Sequence, residues 1–261
     1  PAAETLARNI LRYVSVWQPA PRRKVIYVGD TAGRQHLEST GISLTSYDAG
    51  NLSANHILVV GPGGGRILAG DAADIADWLK AGGSLLAVGL DEQQVNAFLR
   101  MESQGLPLKV RMKEAEHIAA YFEPFAFNSL LAGVGPADVH CREPRKLPLV
   151  QPLGGAGLVS AGVTIIGDGV LAGAKNFSIV FCQLAPWQFS SKEQQNVKRT
   201  FRRTSYLVNR LLANMGAAGS TPLLERFHSP LGTSKAEKRW LEGFYIDVPQ
   251  EWDDPYRFFR W

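Results

Sequence analysis

The sequence predicts an α/β domain with a mainly parallel sheet covered by helices on both faces. Three observations predict it. Short apolar runs alternate with stretches of helical periodicity along the first hundred residues and again after residue 160. Those runs are continuous rather than alternating, as strands buried on both faces are. Gly, Pro and Asp cluster at the junctions, where turns and helix caps need them.

Residues 4–17 place Leu6, Ile10, Leu11, Val14 and Trp17 on one helical face, and Pro19 and Pro21 stop that helix. Lys24 to Asp30 reads as a buried strand running into a turn. A short helix around Ala32–Ser39 and a second strand around Ile42–Ser46 follow. His56–Val60 is a third strand, leading into Gly61-Pro62-Gly63-Gly64-Gly65. Gly70–Ala81 is a helix with Ile75, Trp78 and Leu79 inward, closed by Gly82-Gly83. Ser84–Val88 is a fourth strand and Asp91–Leu99 a further helix.

Residues 100–160 are irregular and rich in Pro and Gly, and read as an inserted extended segment with loops. Regular structure resumes at Val163–Ile166 and Ser178–Leu184. A long helix spans about Lys192–Met215, with Val197, Phe201, Val208, Leu211 and Met215 as its apolar stripe. The tail, 217–261, lacks a sheet pattern and crowds Trp240, Phe244, Tyr245, Trp252, Tyr256, Phe258, Phe259 and Trp261. Such rings must pack on this domain, a partner or a ligand. The expected division is a leading helix and linker at 1–20, an α/β domain at 21–216, and the aromatic tail at 217–261.

Composition narrows the function. Hydrophobic residues at 45% and charged residues at 20% provide an ordinary core. The net charge of +4, from 28 basic and 24 acidic residues, is too dilute for a nucleic-acid face. The densest basic group, Lys198, Arg199, Arg202, Arg203 and Arg210, reads as the solvated side of a helix. No apolar run is long enough to span a bilayer, and no signal peptide is visible. The chain starts at Pro1 and reads as a piece of a longer protein. Cys182 reads as a buried strand residue, and Cys141 lies in a polar stretch before Pro144. Neither the cysteines nor His36, His56, His117, His140 and His228 show metal-ligand spacing, so neither metal nor cofactor is expected.

In an open α/β sheet, ligands bind beyond the carboxyl ends of the strands. Here that edge carries Asp30, the Gly61–Arg66 loop, Asp91, and Gln183 through Trp187. The glycine run lacks both the dinucleotide and the P-loop patterns, and reads as a tight structural loop. After the fourth strand, Gly89-Leu90-Asp91 holds no Ser or Cys where a nucleophile elbow would hold one, and Asp91 reads as a helix cap. Adjacent acids in the tail, Glu251, Asp253 and Asp254, read as solvated or capping groups. The ligand-binding candidates are therefore Asp30, Arg66, Asp91 and Trp187 at the edge, with Trp252 and Trp261 in the tail. No catalytic residue is assigned.

A set of phrases in order carries a resemblance. They are Trp78 through Leu86, Asn128 through Val139, Val180 through Leu184, Arg210 through Gly216, and the terminal Asp253 through Trp261. From about residue 5 to 261, the chain resembles the C-terminal region of large bacterial glycoside hydrolases of the β-galactosidase type, notably family 2 relatives. That region is similar to a class I glutamine amidotransferase-like domain. The resemblance implies a three-layer flavodoxin-like fold and a non-catalytic accessory role. The implied partners are the other domains of a parent glycosidase or a second copy of the chain, in a periplasmic or secreted setting. The amidotransferase cysteine is replaced by Gly89-Leu90-Asp91. Two other readings stand beside this one. A carbohydrate-binding module would stack sugars on Trp187, Trp252 or Trp261. A small-molecule hydrolase or amidotransferase would use Cys141 with His117 or His140.

Overall fold

The computed structural model describes residues 2–16, 22–100, 102–103, 106–152, 163–174, 178–189 and 195–217. The aromatic tail, with Trp252 and Trp261, lies outside the described residues, as do Trp17, Pro19 and Pro21.

Helix α1 (Ala2–Val16) precedes strand β1 (Lys24–Val28). Then come α2 (Thr31–Ser39), β2 (Leu44–Thr45), β3 (His56–Val60), α3 (Gly64–Ile67), α4 (Ala72–Lys80), β4 (Ser84–Val88) and α5 (Glu92–Phe98). The middle of the chain holds β5 (Glu102–Ser103), β6 (Leu106–Pro107), β7 (Arg111–His117) and β8 (Arg145–Gln151). Strands β9 (Val163–Ile166), β10 (Leu171–Ala174) and β11 (Ser178–Cys182) lead to the long helix α6 (Gln195–Asn214).

Seven strands form the main sheet in the order β2-β1-β3-β4-β11-β10-β9. Strands β2, β1, β3, β4 and β11 run parallel, and β10 and β9 add an antiparallel edge. The fold is thus mixed α/β with a mostly parallel sheet, and its strand order is compatible with a flavodoxin-like arrangement.

Period-two alternation divides each strand between two cores. Val25, Tyr27, Ile57, Val59, Leu86, Val88, Val180 and Cys182 face one side, where Leu37 of α2 and Leu207, Leu211 and Leu212 of α6 pack. Ile26, Val28, Leu58, Val60, Leu85, Ala87, Ile179 and Phe181 face the other, under Ile75, Trp78 and Leu79 of α4 and Val95 and Phe98 of α5. Each such fully buried aliphatic side chain stabilises the fold by roughly 1.5–3 kcal/mol. Gly82, at φ +96°, ends α4 in the left-handed conformation that glycine adopts without a Cβ penalty.

The middle of the chain departs furthest from the sequence reading. Strands β7 and β8 pair antiparallel from Arg111 opposite Gln151 to His117 opposite Arg145. Between them, residues 118–144 fold back over α6. Arg210 Nε donates to the Ala132 carbonyl at 3.0 Å, and Asn214 Nδ2 donates to those of Leu130 and Ala132 at 2.9 and 2.8 Å. The Arg142 amide donates to Thr200 Oγ1 at 3.1 Å.

This cover corrects the reading of the basic cluster as a solvated face. Arg199 and Arg203 are 4% and 1% exposed, because a second layer of chain lies over α6 where solvent was expected. Arg203 Nη1 lies 2.8 Å from His140 Nδ1.

Arg23 gathers the opposite, amino-terminal edge of the sheet. Its guanidinium donates to the carbonyls of Ala54, Gly82 and Met215 and to Ser84 Oγ. Its backbone amide donates to the Gly216 carbonyl at 3.0 Å. The residue just before β1 and the one just after α6 are therefore joined backbone to backbone.

Candidate ligand edge and exposed aromatic loop

Two places invite a functional reading: the carboxyl edge of the sheet and the loop after β7. The edge is built from the turns after β1, β3, β4 and β11. In a sheet of this order, the crevice between the carboxyl ends of β1 and β3 is where a ligand would sit. The phenol of Tyr27 lies there, against the glycines of the turns after β1 and β3. Tyr27 is the fourth residue of β1 and is 3% exposed. A Cβ added to Gly29, Gly33 or Gly61 would collide with its ring or hydroxyl. These glycines clear space for a side chain of the protein itself. The hydroxyl donates to Asp30 Oδ1 at 2.9 Å, and burial together with the Asp30 carboxylate raises the phenol's pKa well above its ordinary value.

Asp30 is the N-cap of α2: the same Oδ1 accepts from the Gly33 amide at 2.8 Å. Asp91 caps α5 in the same way, accepting from the Gln94 amide at 2.8 Å. Gln94 ties the two neighbouring turns together. Its Nε2 donates to Asp91 Oδ2 at 2.9 Å, and its Oε1 accepts from the Gly63 amide at 2.6 Å. Gly64 and Gly65 open the short helix α3 and are buried against the backbones of Val28 and Gln94. The glycine run is thus the structural loop expected, used for close packing. Arg66 stands exposed on α3.

Trp187 sits in a 3₁₀ turn, Pro186–Gln188, after β11. Its ring is half-buried, 6.3 Å from Tyr27 edge-on and 5.8 Å from His36, and His36 in turn meets Phe201 at 5.6 Å. Burial lowers His36 to about 4, so its imidazole is neutral at pH 7. Four of the expected site residues therefore lie along one edge. Asp30 and Asp91 cap helices, Trp187 packs on neighbouring rings, and Arg66 stands in solvent.

The turn after β4 keeps a sharp bend without a side chain to do chemistry. Gly89 has φ +63°, and a Cβ there would come within 3.0 Å of Ala185 Cβ. The alternative nucleophile is also remote from solvent. Cys141 is 0% exposed, and burial pushes its thiol up to about 11. His117 Nε2 lies 2.7 Å from the Val139 carbonyl, while His140 faces Arg203. Cys182 is buried too, pushed up to about 12, and both cysteines are free thiols. Among the described residues, no group of three or more His, Cys, Asp or Glu could hold a metal ion, and no helix is long and apolar enough to cross a membrane.

The loop after β7 has the opposite character. Ile118, Tyr121 and Phe127 are 46%, 78% and 94% exposed, with Phe122 and Phe125 half-buried beneath and 5.6 Å apart. The loop is anchored on both sides. The Cys141 amide donates to the Ile118 carbonyl at 2.7 Å, Ala120 is buried, and the bonds from Asn214 hold Leu130 and Ala132. Tyr27, Gln94 and these aromatics are the residues that the sequence reading did not single out. The signal for the last was present in Tyr121-Phe122-Glu123-Pro124-Phe125-Ala126-Phe127, an aromatic run without strand or helix period.

Comparison with protein-family models finds none that matches the chain, and comparison with curated proteins finds no match.

Proposed function

We propose that this chain is a non-catalytic accessory domain of a carbohydrate-degrading glycoside hydrolase, with a flavodoxin-like amidotransferase scaffold that works through its surface. The observation that carries this reading is the aromatic loop. Tyr121 and Phe127 hold their rings in solvent on a segment tied to α6. Apolar groups grouped on an anchored segment mark contact surfaces more often than isolated ones do. The occupied crevice at Tyr27 supports the same reading, because the edge that would bind a substrate is spent on packing and capping. The occupant of the loop would be another domain of the parent glycosidase.

The test has two parts. The coding sequence around this chain should contain a (β/α)₈ barrel with two catalytic glutamates. The chain alone should turn over neither glutamine nor nitrophenyl glycosides. Glutaminase activity, or a parent without a glycosidase domain, would overturn the proposal.

Carbohydrate binding is the second reading, favoured only by the same exposed rings, which could stack on a sugar face. Titration with galactosides and plant or algal oligosaccharides decides it: shifts at Tyr121 or Phe127 would support it, and their absence would remove it.

A further inference from the structure

Two polar atoms at the carboxyl edge of the sheet are enclosed without a hydrogen-bond partner among the described residues: Nε2 of His36 and Nε1 of Trp187. Their rings are neighbours, 5.8 Å apart and tilted by 44°. His36 stands on the inner face of α2 and is 7% exposed. Trp187 comes from the 3₁₀ turn after β11. The two meet on the side of the sheet that α6 covers, beside the crevice where Tyr27 lies rather than in it.

Buried polar groups are almost always paired, and a buried indole N–H finds an acceptor as a rule. The surrounding rings do not serve as that acceptor. Phe201 meets His36 edge to face at 5.6 Å. Tyr27 meets Trp187 edge-on at 6.3 Å, with its hydroxyl turned to Asp30.

The chemistry of the pair selects the partner. An indole N–H only donates, so the partner must accept from Trp187. The His36 imidazole is neutral at pH 7, so its Nε2 accepts or donates according to the tautomer. An oxygen that both accepts and donates satisfies the pair in either tautomer, and a hydroxyl is such an oxygen. A carboxylate would add a buried negative charge close to the Tyr27–Asp30 pair, and a cation has no lone pair for the indole. One oxygen making two hydrogen bonds of about 2.9 Å spans up to roughly 5.8 Å, which matches the separation of the rings.

We propose that His36 and Trp187 form a hydroxyl-binding site, in which one oxygen accepts from Trp187 Nε1–H and bonds to His36 Nε2. The oxygen belongs to an ordered water or to a polyhydroxylated ligand, for which the half-buried Trp187 ring is a stacking surface. This inference does not depend on a parent glycosidase.

NMR of the full chain, with ¹⁵N in the tryptophan indoles and histidine rings, tests the site. The Trp187 signal is assigned by its contacts to the Tyr27 and His36 rings and by its loss in Trp187→Phe. Two arms separate the sources of the oxygen. A nuclear Overhauser effect from a long-lived water to the Trp187 indole proton would identify a water. Saturable shifts of Trp187 Nε1 and His36 Nε2 with one midpoint, on titration with glycerol or methyl β-galactoside, would identify a ligand hydroxyl. Either result supports the site, and acetate should move neither nitrogen. An indole proton that shows neither effect would overturn the inference. So would one shifted upfield by the Phe201 ring, or a pair that answers to acetate alone.

Discussion

Tyr27 Oη donates to Asp30 Oδ1 across the mouth of the β1–β3 crevice, at 2.9 Å. The bond links a strand side chain to the N-cap of the next helix and leaves the ring lying over three glycines. Tyr27→Phe should keep the plug and lose only the bond, at a cost of about 1–2 kcal/mol. Tyr27→Ala should cost about 3–5 kcal/mol by opening a cavity. Urea unfolding of the two variants checks this, and equal losses would mean that the ring is not packed as described.

Much of this was legible in the sequence. Strands β1, β3, β4 and β11 are unbroken apolar runs, and α4 and α6 have clear helical stripes. The capping role of Asp91 followed from its place between a strand and a helix. Strand β10 was missed because Leu171-Ala172-Gly173-Ala174 offers small side chains and no β-branched run. The burial of Arg199 and Arg203 was hidden because it depends on residues 118–144 returning over α6, a long-range contact with no local period. Tyr27 looked like one more strand residue, since its partners Gly29, Gly33 and Gly61 come from two separate turns.

His36 gives the domain a pH dependence. In the unfolded chain its imidazole titrates near 6.5, and in the fold burial beside Trp187 and Phe201 lowers it to about 4. Between those values the unfolded chain binds more protons, so stability is fully present above 6.5 and falls as the pH drops toward 4. The loss is on the order of 3 kcal/mol. Comparing denaturant midpoints across this range for the wild type and His36→Phe checks it. The variant should lose most of the dependence, and an unaltered profile would assign it elsewhere.

Cys141 and Cys182 should be silent toward a thiol reagent in the native protein at pH 8. Both are 0% exposed, with thiols pushed up to about 11 and about 12. Their labelling should become complete in denaturant. Fast native labelling of Cys141 would reopen the nucleophile reading.

Arg23 should matter more than a half-exposed arginine usually does. Arg23→Ala removes donors to four acceptors on three segments and leaves the buried Ser84 hydroxyl without this donor. The expected loss is about 2–3 kcal/mol. A change within about 0.5 kcal/mol in a thermal or denaturant titration would show that its bonds are replaced by water.

The proposal that this chain docks within a glycoside hydrolase is tested by its association with the remainder of that proposed parent. The affinity should be measured for the wild type and for Tyr121→Asp/Phe127→Asp. Both altered side chains are exposed, so the melting temperature should hold. Binding by the wild type that weakens at least tenfold in the double variant is the predicted result. No association, or association undiminished by the two charges, would contradict it.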